Sequence, residues 1–179
     1  MVGEIRDTET ADIAIKASLT GEIILSTLHT NSAVGAISRL RDMGTEPFLL
    51  ASSLVALTAQ RLVRKVCSKC KEKYKLDKEA LESLQIDSFC REHGGINEFY
   101  RPKGCPYCGH SGYRGRIAIL EVILLDDKIK EMIVERRSEE EIVQYAKEFR
   151  GYNSLREDGF LKCMDGETSI EEVIRVTSE

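Results

Sequence analysis

The order of apolar and polar residues predicts alternating strands and helices in the first part of the chain. A short apolar strand, Met1–Ile5, precedes a loop in which Asp7 or Thr8 caps a helix over Glu9–Leu19. The next apolar run, Ile23–Leu28, is too short for a helix and fits a strand that is buried on both faces, as in a parallel sheet. Strand, helix and strand in this order make one right-handed crossover unit, which is typical of an α/β fold.

Two further helices are predicted after this unit. Val34, Ile37 and Leu40 give the first of them an apolar stripe, and Gly44 ends it. Pro47 suits the first turn of a second, strongly apolar helix over Phe48–Val63, which we expect to be deeply buried. We therefore assign residues 1–64 to one α/β domain.

The rest of the chain divides into a cysteine module, residues 65–116, and a mostly helical part, residues 117–179. The module contains a charged insert, Lys71–Gly104, with a short helix near Lys78–Leu84. In the last part, Ile117–Leu125 is predicted to be a strand, and Asp126 or Asp127 to begin a helix. Two capping boxes are predicted before later helices, and they pair Ser138 with Glu141 and Ser169 with Glu172.

Four cysteines stand out because they form two Cys-x-x-Cys pairs, Cys67 with Cys70 and Cys105 with Cys108. Two such turns facing each other supply the four thiolates of a tetrahedral zinc site, and four thiolates leave no open position for catalysis. A redox dithiol and coincidence are the competing interpretations; neither pair follows a thioredoxin-like strand-to-helix turn. We predict a structural zinc.

The two remaining cysteines and a nearby histidine add little to this site. Cys90 is expected to be an exposed thiol and Cys163 a core thiol, since neither has a close partner in sequence. His110 follows Cys108 by two residues and is interpreted as a loop side chain rather than a ligand.

Composition limits the class of protein. The 179 residues carry a net charge of −4, which gives no basic surface for nucleic acid, so we expect no nucleic-acid partner. No uninterrupted apolar stretch is long enough to cross a membrane, and the first residues do not form a signal peptide. The expected location is the cytoplasm.

Glu4 and His29 are the candidates for chemistry in the first domain. Glu4 lies at the end of the first predicted strand and His29 directly after the second, so both would project from the carboxyl edge of the sheet, where open α/β sheets bind ligands. Glu4 is placed to hold a Mg²⁺-bound water beside a phosphate, although a glutamate at a strand end is usually just solvated. For His29, a role at the site and a purely structural role in the turn are equally supported by the sequence. Phosphate contact and surface ion pairs are the alternatives for Arg6, Arg61 and Arg64, and surface pairs are expected.

Several motifs resemble those of the ATPases of type II secretion and type IV pilus assembly. Val2-Gly3-Glu4-Ile5-Arg6-Asp7 resembles the Walker B region of that family, and Ser26-Thr27-Leu28-His29-Thr30-Asn31 resembles its histidine box. The resemblance continues through Ala59-Gln60-Arg61-Leu62-Val63, the cysteine pairs, and Gly112-Tyr113-x-Gly115-Arg116-x-Ala118-Ile119-x-Glu121. It covers the chain apart from the insert.

The resemblance implies a partial RecA-like parallel sheet with flanking helices, a tetracysteine zinc subdomain and a helical C-terminal subdomain. Glu4 matches the glutamate that acts on Mg²⁺ and the attacking water, and His29 matches the histidine near the γ-phosphate of ATP. The family's proteins are cytoplasmic homohexamers that drive a platform protein of the inner membrane. The cysteine module favours the secretion and assembly branch over pilus retraction.

The family's phosphate loop, its acidic Asp box and its N-terminal domain are missing from this sequence. It has no Gly-x-x-x-x-Gly-Lys-Ser/Thr segment, the loop that cradles phosphates. We therefore interpret the chain as the C-terminal part of a motor domain and expect it to be inactive alone. The alternative hypothesis is a stand-alone zinc-ribbon module that binds a protein partner and no nucleotide.

Overall fold

The computed structural model describes residues 1–178. Nine α-helices lie within this part of the chain: α1 (Thr8–Leu19), α2 (Gly35–Asp42), α3 (Pro47–Ser53), α4 (Lys78–Ser83), α5 (Asp87–Glu92), α6 (Asp127–Val134), α7 (Glu139–Arg150), α8 (Leu155–Met164) and α9 (Ile170–Thr177). The same residues form four strands: β1 (Ala56–Val66), β2 (Lys71–Lys75), β3 (Glu98–Pro102) and β4 (Tyr113–Leu124). Strand β1 pairs with β4, and β2 pairs with β3.

The chain forms two compact units. Unit 1 consists of Met1–Ala59 and Glu121–Asn153, and unit 2 of Gln60–Leu120 and residues 154–178. Each unit has its own apolar core, and strands β1 and β4 contribute residues to both units. No helix among residues 1–178 combines the length and apolar character needed to span a bilayer. The domain bounds drawn from the sequence stay a prediction.

Unit 1 begins with the predicted strand–helix–strand segment. Asp7 caps α1 by accepting a hydrogen bond from the amide of Thr10, as the sequence predicts. The two flanking segments meet through one parallel bridge between Glu4 and Thr27. The expectation that Ile23–Leu28 is buried on both faces is wrong, because Ile23 is 87% and Leu25 65% exposed. Within residues 1–178 the strands otherwise form two sheets of two strands each, so the larger parallel sheet stays a prediction.

The predicted helix over Phe48–Val63 is wrong in its second half. Helix α3 ends at Ser53, and the next eleven residues from Ala56 form strand β1. Buried Leu57 and Val63 lie an even number of residues apart and share one face of β1 with partly buried Ala59, which is the period of a strand. Because most residues of this segment are apolar, the alternation of buried and exposed positions is not visible in its sequence.

In unit 2 the two ends of the charged insert pair as antiparallel strands. Strands β2 and β3 pair from Lys71 opposite Pro102 to Lys75 opposite Glu98. Phe99 of β3 is fully buried and belongs to a core that also contains Phe89 of α5. The predicted short helix of the insert is confirmed as α4.

Helix caps in the last part of the chain follow the sequence with one exception. Asp126 caps α6, and Ser138 with Glu141 makes the predicted box before α7. The box predicted for Ser169 and Glu172 is wrong, because Ser169 makes no side-chain cap and its hydroxyl pairs with that of Tyr113. Glu172 instead pairs with Arg64 and Arg175.

Candidate functional site

Backbone pairing brings Glu4 and His29 together at one end of unit 1. The amide of Val2 donates to Leu25 O at 3.0 Å, and the amide of Ile5 donates to Thr27 O at 2.9 Å. Because the two segments run parallel, the residues that follow them emerge at the same edge. The sequence predicted this edge for both side chains.

The Glu4 carboxylate lies between two cationic or potentially cationic groups. Its Oε1 is 2.6 Å from Nε2 of His29, and its Oε2 accepts a 2.6 Å hydrogen bond from Nη2 of Arg6. The hydrogen bond from Arg6 lowers the pKa of Glu4 below its ordinary value, and the positive charges of Arg6 and His29 act in the same direction. Glu4 is therefore an ionised acceptor at neutral pH.

The two side chains differ in exposure. Glu4 is 21% exposed, whereas His29 is 80% exposed. An ionised carboxylate beside an accessible imidazole can orient a water molecule or hold a cation-bound water, and the imidazole can donate a hydrogen bond to an anionic ligand.

Glu121 is a buried acid that contacts the loop after His29 and was not assigned a role from the sequence. Oε1 of Glu121 accepts a hydrogen bond of 2.7 Å from the amide of Ala33, 88 residues away. The available signal was its position, since Glu121 lies between Ile119 and Ile123 on the buried face of β4. A charge at such a position needs a partner.

Arg6 pairs at the surface as expected, but Arg64 has a buried partner. The carboxylate of Glu172 accepts hydrogen bonds from the amide of Arg64 at 2.9 Å and from its Nη2 at 2.6 Å. Arg175 adds two more to the same carboxylate, at 3.0 and 2.8 Å. This cluster joins β1 to α9 within unit 2 and is separate from the Glu4–His29 pair in sequence.

The four paired cysteines converge in unit 2. Their sulfurs all lie within 4.8 Å of one another. Cys67 Sγ is 3.9 Å from Cys105 Sγ, Cys70 Sγ is 3.9 Å from Cys108 Sγ, and the two sulfurs of the second pair are 3.7 Å apart. Four glycines around the second pair adopt positive φ, as the tight turns require: Gly104, Gly109, Gly112 and Gly115.

These distances fit a tetrahedral metal. Sulfurs bound at about 2.3 Å to one zinc ion lie about 3.8 Å apart, close to the separations seen. Within residues 1–178 these four are the one group of cysteine, histidine and acidic side chains that meets such a spacing. His110 is exposed and lies outside the group.

The environments of the individual thiols differ. Burial raises the pKa of Cys70 to about 11. At Cys108 burial also favours the thiol, but hydrogen bonds from the amides of Cys105 and Gly112 outweigh this effect and lower its pKa to about 6. Backbone amides that already point at a sulfur stabilise the thiolate, which is the form that binds metal.

The other two cysteines lie in the core of unit 2. Cys163 is fully buried as predicted, whereas the expectation that Cys90 is exposed is wrong. Helix α5 turns Cys90 inward next to Phe89, and burial raises the pKa of its thiol. Both thiols therefore serve as small apolar side chains.

The chain resembles known proteins of one family. The type II/IV secretion system protein model matches residues 1–175. The type II secretion system ATPase E of Vibrio cholerae is 51% identical over all 179 residues, which correspond to 34% of that protein. The type IV pilus assembly ATPase PilB of Thermus thermophilus is 46% identical over the same length, which is 20% of that protein.

Solved structures show the same fold at low identity. The pilus retraction motor PilT with bound ADP superposes with a TM-score of 0.63 and 18% identity, over 99% of this chain and 38% of that chain. The ATPase DotB of Legionella pneumophila gives 0.60 and 16%, over 98% and 37%. The chain thus has the α/β fold of these ATPases and spans about a third of the length of its type II secretion relatives.

Proposed function

Because the chain belongs to the type II/IV secretion system protein family, we propose that it is part of a motor ATPase that powers type II secretion or type IV pilus assembly. The relatives named above are ATPases of these two machineries. The single observation in this chain that supports the proposal is the contact of 2.6 Å between Glu4 and His29 across a parallel bridge.

Under this proposal Glu4 and His29 are the catalytic and nucleotide-facing residues of a RecA-like site. Glu4, kept ionised by Arg6, would hold the water of a bound Mg²⁺ and orient the attacking water. His29 would face the γ-phosphate of ATP from the exposed side of the pair. ATP with Mg²⁺ supplies the reacting phosphoryl group, and these residues position it.

The four cysteines would hold a structural zinc. A closed set of four sulfurs has no open ligand position, so the metal would close the turns around Cys67 and Cys108 rather than take part in hydrolysis. The parent protein would act as a cytoplasmic homohexamer, peripheral to the inner membrane, against a platform protein of the secretion or pilus machinery.

Taken by itself the chain is proposed to hydrolyse no appreciable ATP. Its sequence contains no phosphate loop, so the backbone amides and the lysine that hold the β- and γ-phosphates are not supplied by these residues. ATP turnover by the purified chain that Glu4→Gln abolishes would overturn this proposal.

The catalytic assignment is tested in a longer motor protein that joins this chain to a phosphate loop. Glu4→Gln and His29→Ala are each expected to lower kcat by about 100-fold or more, because each removes a group that acts on the transferring phosphoryl. Glu22→Gln is the matched control, since Glu22 is an exposed acid in the turn between α1 and the second segment. Unchanged turnover in Glu4→Gln would contradict the assignment.

A further inference from the structure

Glu121 is a buried carboxylate of unit 1 that neither the Glu4–His29 pair nor the cysteine site uses. It is 3% exposed and alternates along β4 with exposed Leu120 and Val122, so its side chain points to the buried face. An apolar residue would occupy this position at no electrostatic cost, whereas a buried carboxylate must be compensated by hydrogen bonds. Its hydrogen-bond partner therefore indicates why a carboxylate occupies this position.

That partner is the backbone at the start of α2. Glu121 Oε1 accepts from the amide of buried Ala33 at 2.7 Å. Ala33 immediately precedes Val34, the N-cap residue of α2, so its amide lies outside the helix and takes its hydrogen-bond acceptor from a distant strand. A carboxylate at the amino-terminal end of a helix is also favoured by the helix dipole.

The same amide ends the loop that carries His29. Inside this loop Thr30 Oγ1 donates to Ser32 O at 3.0 Å, and Ser32 Oγ accepts from the amide of Gly35 at 3.0 Å. These contacts are local and shape the loop, whereas the contact with Glu121 fixes it to β4. The exposed imidazole of His29 has little packing of its own, so its place beside Glu4 depends on the backbone on both sides of it. Residues 25 and 27 pair with the first segment, and Ala33 is held by Glu121.

We propose that Glu121 is a positioning residue of the nucleotide site, whose buried carboxylate anchors the His29 loop to β4 and so keeps His29 beside Glu4. The inference rests on the proposed function of the Glu4–His29 pair. Glu121 touches neither of those side chains and acts through the amide of Ala33.

The anchoring step is tested in this chain by amide hydrogen exchange. Glu121→Leu keeps an apolar side chain on the buried face and removes the acceptor, whereas Glu121→Gln keeps an oxygen acceptor at nearly the same volume. We expect exchange at Ala33 to rise about 10-fold or more in Glu121→Leu and to return most of the way in Glu121→Gln. Ile129→Val, which removes one methylene from the same core, is the control and should leave Ala33 unchanged.

The functional step uses the longer motor protein with the same variants. Glu121→Leu is expected to lower kcat with little change in KM, and Glu121→Gln to restore most of it, since the acceptor rather than the charge is needed. Unchanged exchange at Ala33 in Glu121→Leu overturns the role of Glu121 whatever the activity. Faster exchange with unchanged kcat overturns the positioning of His29 by Glu121, whereas unchanged kcat in His29→Ala overturns the proposed function of the pair, so the two failures are distinguishable.

Discussion

At the scale of single residues, Glu172 is a buried carboxylate that needs hydrogen-bond partners to stay ionised. It is 1% exposed and accepts four hydrogen bonds from Arg64 and Arg175. Glu172→Ala is expected to lower the free energy of unfolding by about 2–3 kcal/mol, because four bonds to a charge are lost while the half-exposed guanidinium groups can still be hydrated. Urea unfolding measures the change.

The control for this variant is Glu135→Ala, which removes an exposed carboxylate that pairs with Arg137 at the surface. Such a pair contributes about 0–1 kcal/mol, so the control should unfold close to the wild type. Equal stability of the two variants would show that the buried cluster contributes no more than a surface pair.

Glu172 also makes a pH dependence predictable. Burial opposes its ionisation, but the hydrogen bonds from Arg175 and Arg64 outweigh burial and lower its pKa to about 2 from an ordinary 4.5. Since the pKa is lower in the folded state, the stabilisation is complete above about pH 4.5 and is lost as the pH falls from there towards 2. Glu172→Gln should flatten the unfolding free energy over this range relative to wild type, and parallel curves would contradict the prediction.

At the scale of elements, the contact between α8 and α9 depends on a glycine. A Cβ on Gly159 would lie 2.6 Å from Cγ1 and 2.9 Å from Cγ2 of buried Val173. Alanine is better than glycine in a helix by about 1 kcal/mol, whereas overpacking a core costs about 1–3 kcal/mol. Gly159→Ala is therefore expected to destabilise the protein despite its higher helix propensity.

A double-mutant cycle tests the cause of that loss. Val173→Ala opens the space that the new methyl group needs, so Gly159→Ala should cost less, or become stabilising, in the Val173→Ala background. Thermal unfolding of the four proteins gives the coupling. Additive effects would show that the two helices do not meet through this pair.

Strand β1 shows why an element can be mispredicted. Pro47 begins a helix as expected, but Leu54 has extended backbone, and the strand starts two residues later. Its buried and partly buried residues alternate with exposed Gln60, Leu62 and Arg64. This is the period of a strand, and the segment fits a helix only if the exposed positions are ignored. Pairing with β4 decides the conformation, and a single sequence does not show that partner.

At the scale of the whole molecule, the cysteine site predicts a metal stoichiometry. We expect one zinc per chain by elemental analysis, and chelation should speed amide exchange over residues 67–112, because the metal would close these turns. Cys108→Ser should reduce the zinc content. Cys90→Ala removes a buried thiol outside the group and should retain one zinc. A folded chain without metal would contradict the proposal.

Local signals account for the part of the structure that the sequence predicted. Asp7, Asp126 and Ser138 act as caps because capping needs residues only two or three positions apart. The motifs around Glu4 and His29 likewise indicated the family before any contact was known. Ser169 shows where such local signals fail. The sequence around it fits a capping box, but its hydroxyl pairs with that of Tyr113 instead.

Local sequence patterns therefore specify the periodic helices, most caps, the cysteine quartet and the family. Long-range contacts instead make residues 56–66 a strand, bury Cys90, and give Glu121 and Glu172 partners 88 and 108 residues away. The reason is physical: helix periods and caps act over one or two turns. Strand pairing and the burial of a charge instead depend on groups that only the folded chain brings together.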